Sequence, residues 1–320
     1  MTYKILSPDQ CYDALLQQKN PFFDDYFAFY SSWYGGIVLE PRLMQLPLDD
    51  HMVHRGDGVF EAMKVVSNTV YLMDAHLERL LYSAGRIGLV SPWSVDEIKA
   101  IVLETLLVTQ QEKASIRVFL SRGPGDFSAN PYDAIAPQLY VVVMRLKELN
   151  AEKYTSGVAI GKSSIPPKPD WMSQIKSCNY LPNVLMKREA VDRGLDYVIG
   201  VDDHGFVTES ATENVLIVDK AGVIIHPPFE HILKGTTMIR VCELAKDAGL
   251  KTKTQRITID ELQDAAEIMM VGTTINVLPV VTFEQVRIQD GRPARVAQLL
   301  HQKLLMDQFA RSIDSDIIAI

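Results

Sequence analysis

The chain has 320 residues, 47% hydrophobic and 22% charged, which is enough length for two domains with separate cores. A net charge of -8, with acids and bases interspersed, excludes the basic face that nucleic acid requires. No window approaches a membrane span, and Cys11, Cys178 and Cys242, odd in number and far apart, fit free thiols and exclude a zinc site. A protein of the cytoplasm is expected, because the N-terminus lacks an apolar run of signal-peptide length and free thiols fit a reducing compartment.

Residues 1–35 read as an appendage, helical near Pro8–Lys19 and then rich in aromatics (NPFFDDYFAFYSSWYGG), which suits a core or an interface. A strand is predicted from Val59 to Val66, a turn at Ser67–Thr69, and a second strand from Val70 to Met73. Gly56-Asp57-Gly58 lacks the lysine and the helix of a phosphate loop. Asp74 is expected to cap a helix from Ala75 to Ile87, with Leu77, Leu80, Leu81 and Ala84 on one stripe and His76 and Arg79 near its start. Ser94 and Glu97 form a capping box for a second helix to about Thr109. Two apolar strands, ASIRVFLS and QLYVVVMRL, flank the long loop RGPGDFSANPYDAIAP, a length common in functional loops.

The polar stretch Lys147–Thr155 divides the chain into expected domains 1–150 and 151–320. The second half alternates many short strands with few helices, which argues for a mixed, barrel-like domain instead of a doubly wound sheet. Thr236 or Thr237 is expected to cap a helix reaching about Ala248, and a terminal helix is predicted over Ala294–Ser312.

Four features suit one chemistry. Lys176 lies between a proline-stiffened loop (Pro166, Pro167, Pro169) and a helical run, where burial would lower its pKa and leave a nucleophilic amine. Glu209 stands at a strand end. Arg79 adds a cation, and KGTT (Lys234–Thr237) with GTT (Gly272–Thr274) offers amides, hydroxyls and a helix N-terminus to a phosphate. An amine for a Schiff base, a carboxylate for a pyridine nitrogen and a phosphate cradle are the needs of pyridoxal phosphate.

The segments IKSCNYLPNVLMKREA, DDHGFVTESATENVLIV, ILKGTTMIRV and VGTTINVLP, in this order, closely resemble the class IV aminotransferase family. HRGDGVFEAMKVV and DAHLERLLYSAGRI are similar to its N-terminal half, so the resemblance runs from about Tyr34 to the end. SSxxGG, PLDDHMVHRG, GPGDF and NYLPNVL look most like its plant-type members, which comprise D-amino-acid aminotransferases and 4-amino-4-deoxychorismate lyases. The resemblance implies an α+β, fold-type-IV enzyme with pyridoxal 5'-phosphate between a small N-terminal α/β domain and a larger C-terminal pseudo-barrel, assembled as a homodimer. It implies Lys176 as the Schiff-base lysine and proton shuttle, and Glu209 on the pyridine nitrogen. Arg79, Thr236, Thr237, Thr273 and Thr274 would hold the phosphate, and Tyr180 the phenolic oxygen.

Some positions depart from the family. Bacterial D-alanine aminotransferases hold the substrate carboxylate with an arginine and a histidine after the Arg-Gly dipeptide, where this chain has Phe127 and Ala129. They also use a tyrosine where Phe60 stands, so that carboxylate trap is absent or rebuilt here, and the resemblance implies Phe60 and Arg117 as the substrate-binding positions. Arg117 lines up with the pocket arginine of branched-chain enzymes. The expected activity is transamination between a D-amino acid or a branched-chain amino acid and a 2-oxo acid. The alternative is aminodeoxychorismate lyase, releasing pyruvate and 4-aminobenzoate, and a third reading is a cofactor-binding protein without turnover. No metal, nucleic-acid or membrane partner is expected.

Overall fold

A computed structural model describes residues 3–314; residues 1–2 and 315–320 of the two expected domains lie outside the described residues. Two sheets organise the chain. The first is entirely antiparallel and runs, edge to edge, Gly36–Val38, Tyr26–Ser31, Gln138–Met144, Ala114–Ser121, Gly58–Val66 and Thr69–Val70. Helices Met73–Arg86 and Val95–Leu107 cover one face. Val59, Met63 and Val65 alternate along their strand and bury against Leu77, Leu80 and Ala84 of the first helix, as period-two and period-3.6 patterns dictate. Phe60, Ala62 and Lys64 therefore point to the opposite face, toward the second half of the chain.

The second sheet is mixed, joining nine strands between Val158–Lys162 and Val286–Arg287. Its two cores lie on opposite faces. One gathers Ile160, Val215 and Leu278, and the other packs Leu216, Met269 and Val271 against helices Thr236–Asp247 and Arg295–Asp314. The barrel-like, α+β expectation matches this architecture.

Several local expectations need correction. Asp74 is not a cap: the helix begins at Met73 after Leu72, which has left-handed φ of 54° and makes no side-chain cap. Asp74 lies in the first turn and binds Lys99 at 2.7 Å. The second strand of that hairpin is only Thr69–Val70, because Leu72 and Met73 are consumed by the turn into the helix. The capping box at Ser94 and Glu97 is present as expected. In the second sheet, Glu284 and Gln285, both at positive φ, turn the chain between the strands Asn276–Phe283 and Val286–Arg287.

Candidate active site

The lysine segment behaves as an extra rung on the first sheet. Phe60 N donates to Lys176 O at 3.0 Å, Cys178 N donates to Gly58 O at 2.8 Å, and Ser177 bridges Val59. Lys176 N in turn donates to Ser83 Oγ at 3.2 Å. Those bonds fix the backbone between the short helix Asp170–Ser173 and the helix Leu181–Asp192, and they carry Lys176 into the seam between the two sheets, where it is 8% exposed. Its amine lies 3.4 Å from Tyr180 Oη and 4.7 Å above the Phe60 ring. Phe60 meets Tyr180 edge-on at 4.9 Å and stacks on Phe119 at 5.9 Å. Burial, aided by the Arg79 guanidinium, pushes the amine down to about 8 against the opposing pull of Glu61 and Glu209.

Glu209 sits in the strand Val207–Ser210. One carboxylate oxygen accepts from Leu233 N at 3.0 Å and, at the long limit of 3.5 Å, from Asn214 Nδ2. Burial pushes the carboxyl up to about 7, although the Leu233 amide and the charges of Lys168, Lys176 and Arg79 pull the other way. Lys168 escapes a reading of the sequence alone. It rides the proline loop and holds its ammonium 4.3 Å over the Tyr180 ring; the triple proline around it was the available signal.

Arg79 is more committed than the sequence suggested. Its Nε and Nη2 donate to the two oxygens of Glu61 at 2.7 and 2.8 Å, and Nη1 donates to Lys234 O at 2.8 Å. Glu61, fully buried, also binds His76 Nδ1 at 2.7 Å, and His76 Nε2 lies 3.1 Å from Thr236 Oγ1. Burial alone would raise the Glu61 carboxyl, but Arg79 and His76 outweigh it and hold the group far below the usual range. Glu61 and His76 are thus site residues that sequence reasoning missed; a lone acid on the buried face of a strand was the signal.

Neither Thr236 nor Thr237 caps the helix Thr236–Asp247. Gly235 is the N-cap and supplies no side chain, so the first-turn amides keep their donors. A glycine is required there, since a Cβ would stand 1.9 Å from Asn214 Oδ1. Thr237 is 4% exposed, and its hydroxyl has no protein partner among the described residues. The turn carrying Thr273 and Thr274 is framed by the Gly272–Asn276 rung, next to the Val271–Asn214 rung. Asn214 Nδ2 holds Leu233 O at 3.0 Å, tying that turn to the helix start. Thr274 lines a different cavity, beside Lys64 and Asn276.

Arg117 stands opposite Ala62 on the cleft face of the first sheet. Burial lowers its pKa. Its one hydrogen bond is to Ser115 Oγ at 3.3 Å, and among the described residues no carboxylate pairs with it. Phe127 is exposed at the tip of the long loop, its carbonyl held by Arg55.

An amine of lowered basicity, a carboxyl awaiting a cation and an uncapped helix start with a hydroxyl beside it suit an aldehyde that carries a basic ring nitrogen and a phosphate. The site fits pyridoxal 5'-phosphate. Comparison with known proteins agrees. The family model for amino-transferase class IV matches residues 58–283. The chain is 37% identical to the D-amino-acid transaminase, chloroplastic, of Arabidopsis thaliana over 88% of this chain and 76% of that one. It is 26% identical to the D-alanine aminotransferase of Bacillus licheniformis over 88% and 99%. Among solved structures, a branched-chain amino acid aminotransferase with pyridoxamine 5'-phosphate superposes with a TM-score of 0.84 at 25% identity, covering 89% of this chain and 95% of that one. Fold and site together define a pyridoxal-phosphate-dependent aminotransferase of fold type IV. The chain belongs to the class IV aminotransferase family. These relatives are transaminases, which favours transamination over the lyase reaction.

Proposed function

We propose that this aminotransferase moves an amino group between a D-amino acid or a branched-chain amino acid and a 2-oxo acid, with Lys176 as its catalytic residue. The observation that carries the reading is the buried Lys176 amine, of lowered basicity, between Tyr180 Oη and Phe60 and under the charge of Glu209. Pyridoxal phosphate would supply an aldehyde that condenses with amines and a ring that accepts electrons. Lys176 Nζ would hold the cofactor's aldehyde carbon, and as a free amine it would take a proton from the substrate α-carbon and return it. Glu209 would keep a proton on the ring nitrogen, and Tyr180 Oη would orient the phenolic oxygen. Arg79 with the amides around Thr236, Thr237 and Thr273 and the Thr237 hydroxyl would hold the phosphate at the uncapped helix start, whereas Thr274, the fourth expected residue, lines the other cavity. Phe60 forms one wall of the substrate pocket, and Arg117 supplies its cation.

The quaternary and domain readings follow. All pairings of the first sheet end by Met144 and those of the second begin at Val158, which supports a division near residue 150. Exposed Trp33, Tyr34, Leu48, Tyr132 and Ile135 supply the apolar surface that a homodimer would bury. Free Cys11, Cys178 and Cys242 support a cytoplasmic location.

Borohydride reduction of the yellow holoenzyme should leave a pyridoxyl group on Lys176 in peptide mass spectra; an adduct on another lysine overturns the assignment. A panel of D- and L-amino acids with 2-oxoglutarate and pyruvate, beside an assay for released 4-aminobenzoate, reads the substrate. A dominant 4-aminobenzoate signal would replace transamination with the lyase reaction.

Glu61→Gln tests the phosphate anchor. The isosteric amide keeps the shape but removes the charge that aims Arg79, so cofactor Kd should rise roughly tenfold or more, as for the loss of one charge-assisted hydrogen bond. An unchanged Kd would show that Arg79 needs no help from Glu61.

A further inference from the structure

A small cavity beside Glu209, of about 20 Å³, is lined by Lys168, Asn183, Thr208, Glu209 and His231 among others. Lys168 reaches it from a loop with little freedom. Pro166 and Pro167 precede it and Pro169 follows, which fixes φ at three positions and keeps Lys168 itself extended. The helix Asp170–Ser173 begins directly after the loop. The long side chain thus starts from a backbone that is already placed, which lowers the entropy cost of holding its charge in one spot.

Lys168 is half-buried with its ammonium 4.3 Å over the Tyr180 ring, and among the described residues it makes no hydrogen bond and no ion pair. Two acceptors on the cavity wall are equally unanswered. Asn183 Oδ1 and Thr208 Oγ1 are buried without a partner, in residues only 7% and 3% exposed. The space suffices for one water. A water there would accept from Lys168 Nζ and donate to both oxygens, so the ammonium gains a hydrogen bond without an acid that neutralises it. His231, on the same wall, is already occupied by Asp170 and Arg256, each at 2.7 Å.

The acid on which this ammonium acts is Glu209. Against burial, the Leu233 amide and the charges of Lys168, Lys176 and Arg79 favour the carboxylate. Arg79 is committed to both oxygens of Glu61, and Lys176 is the reacting amine. Tyr180 also faces Glu209, but burial and that carboxylate raise its phenol, so it stays neutral and adds no charge. Lys168 is the one cation of the three with no other duty.

We propose that Lys168 is a positioning residue for transamination: its ammonium, fixed by the proline loop over Tyr180, keeps Glu209 ionised so that the carboxylate can hold a proton on the cofactor's ring nitrogen. The proposal rests on the reading of Glu209 as the ring-nitrogen partner.

Infrared-monitored pH titration of the full-length apoprotein tests it, with Glu209→Gln identifying the carboxyl band. In the wild type the carboxyl should titrate at about 7. Lys168→Met should move that midpoint up by about one pH unit, the lower end of the effect of a nearby opposite charge, and Lys168→Arg should bring it back. Lys168→Gln, polar and of similar length, should shift it as far and carries the test if Lys168→Met fails to fold. With cofactor bound, Lys168→Met should lower kcat roughly tenfold, the equivalent of one pH unit, with KM nearly unchanged. A midpoint that stays put in both neutral variants overturns the proposal. So does a raised KM for dicarboxylates with the midpoint unmoved, which would turn the ammonium toward substrate. If the midpoint moves but Glu209→Gln leaves turnover intact, the ring-nitrogen reading of Glu209 falls and the link from Lys168 to Glu209 stands.

Discussion

Glu209→Gln should lower kcat by roughly 10²–10³-fold, the scale of loss when one preorganised charge partner of a transition state is removed. The amide cannot hold a proton on a ring nitrogen, so electron density that develops during proton transfer at Lys176 goes unmatched. Cofactor affinity should change less, since the phosphate anchor proposed at Arg79 and Thr237 does not involve Glu209. Turnover near the wild-type value would remove Glu209 from the ring nitrogen. The same variant has a signature without cofactor. In the apo protein the Glu209 carboxyl is pushed up to about 7, above its unfolded value of 4.5. The folded state therefore retains a proton that the unfolded state has released, and stability falls as pH rises from 4.5 through 7. Glu209→Gln abolishes this loss: the apo variant should match wild type below pH 4.5 and melt higher above pH 7. Parallel melting curves across that window would show that the carboxyl is not destabilised by burial.

The parts of this site legible in the sequence are those carried by short continuous segments. Lys176, Tyr180, Glu209 and the two Thr-Thr pairs each sit in a run whose neighbours announce its local structure. Arg79 was legible as a cation on a helix, but its partners were not. Glu61 lies 18 residues away on a strand, and the Arg79 bond to Lys234 O spans 155. Such pairs are set by how a helix docks on a sheet, which no local pattern encodes. Caps were misread for the same reason. Asp74 and Thr236 are good capping residues by type, but Leu72 and Gly235 occupy the cap positions because the incoming chain turns there. At Gly235 the deciding contact is Asn214, on a distant strand. The cavity at Lys64 was not legible at all, since its walls come from residues 64, 148, 276 and 301 of the chain.

Arg117→Met should separate substrates by charge. In the folded protein Arg117 is a half-buried cation with a single 3.3 Å bond to Ser115 and no acid in ion-pair reach among the described residues, so a structural ion pair does not account for it. A cation left in that state is expensive unless a ligand supplies the anion. The cleft face that carries it also carries Phe60, which touches both the Lys176 amine and Tyr180, so a carboxylate reaching Arg117 belongs to a molecule reacting at Lys176. For glutamate or 2-oxoglutarate that carboxylate is the side-chain one, which leaves the α-carbon free to approach the amine. Truncating one partner of such a pair costs about 2–5 kcal/mol, so kcat/KM toward dicarboxylates should fall by roughly 30- to several-thousand-fold. Monocarboxylate substrates should lose far less. Thermal stability should hold or rise, since methionine fills the volume without the desolvated charge. Equal losses toward both substrate classes, together with a lower Tm, would make Arg117 a support of the sheet and leave the dicarboxylate without its cation.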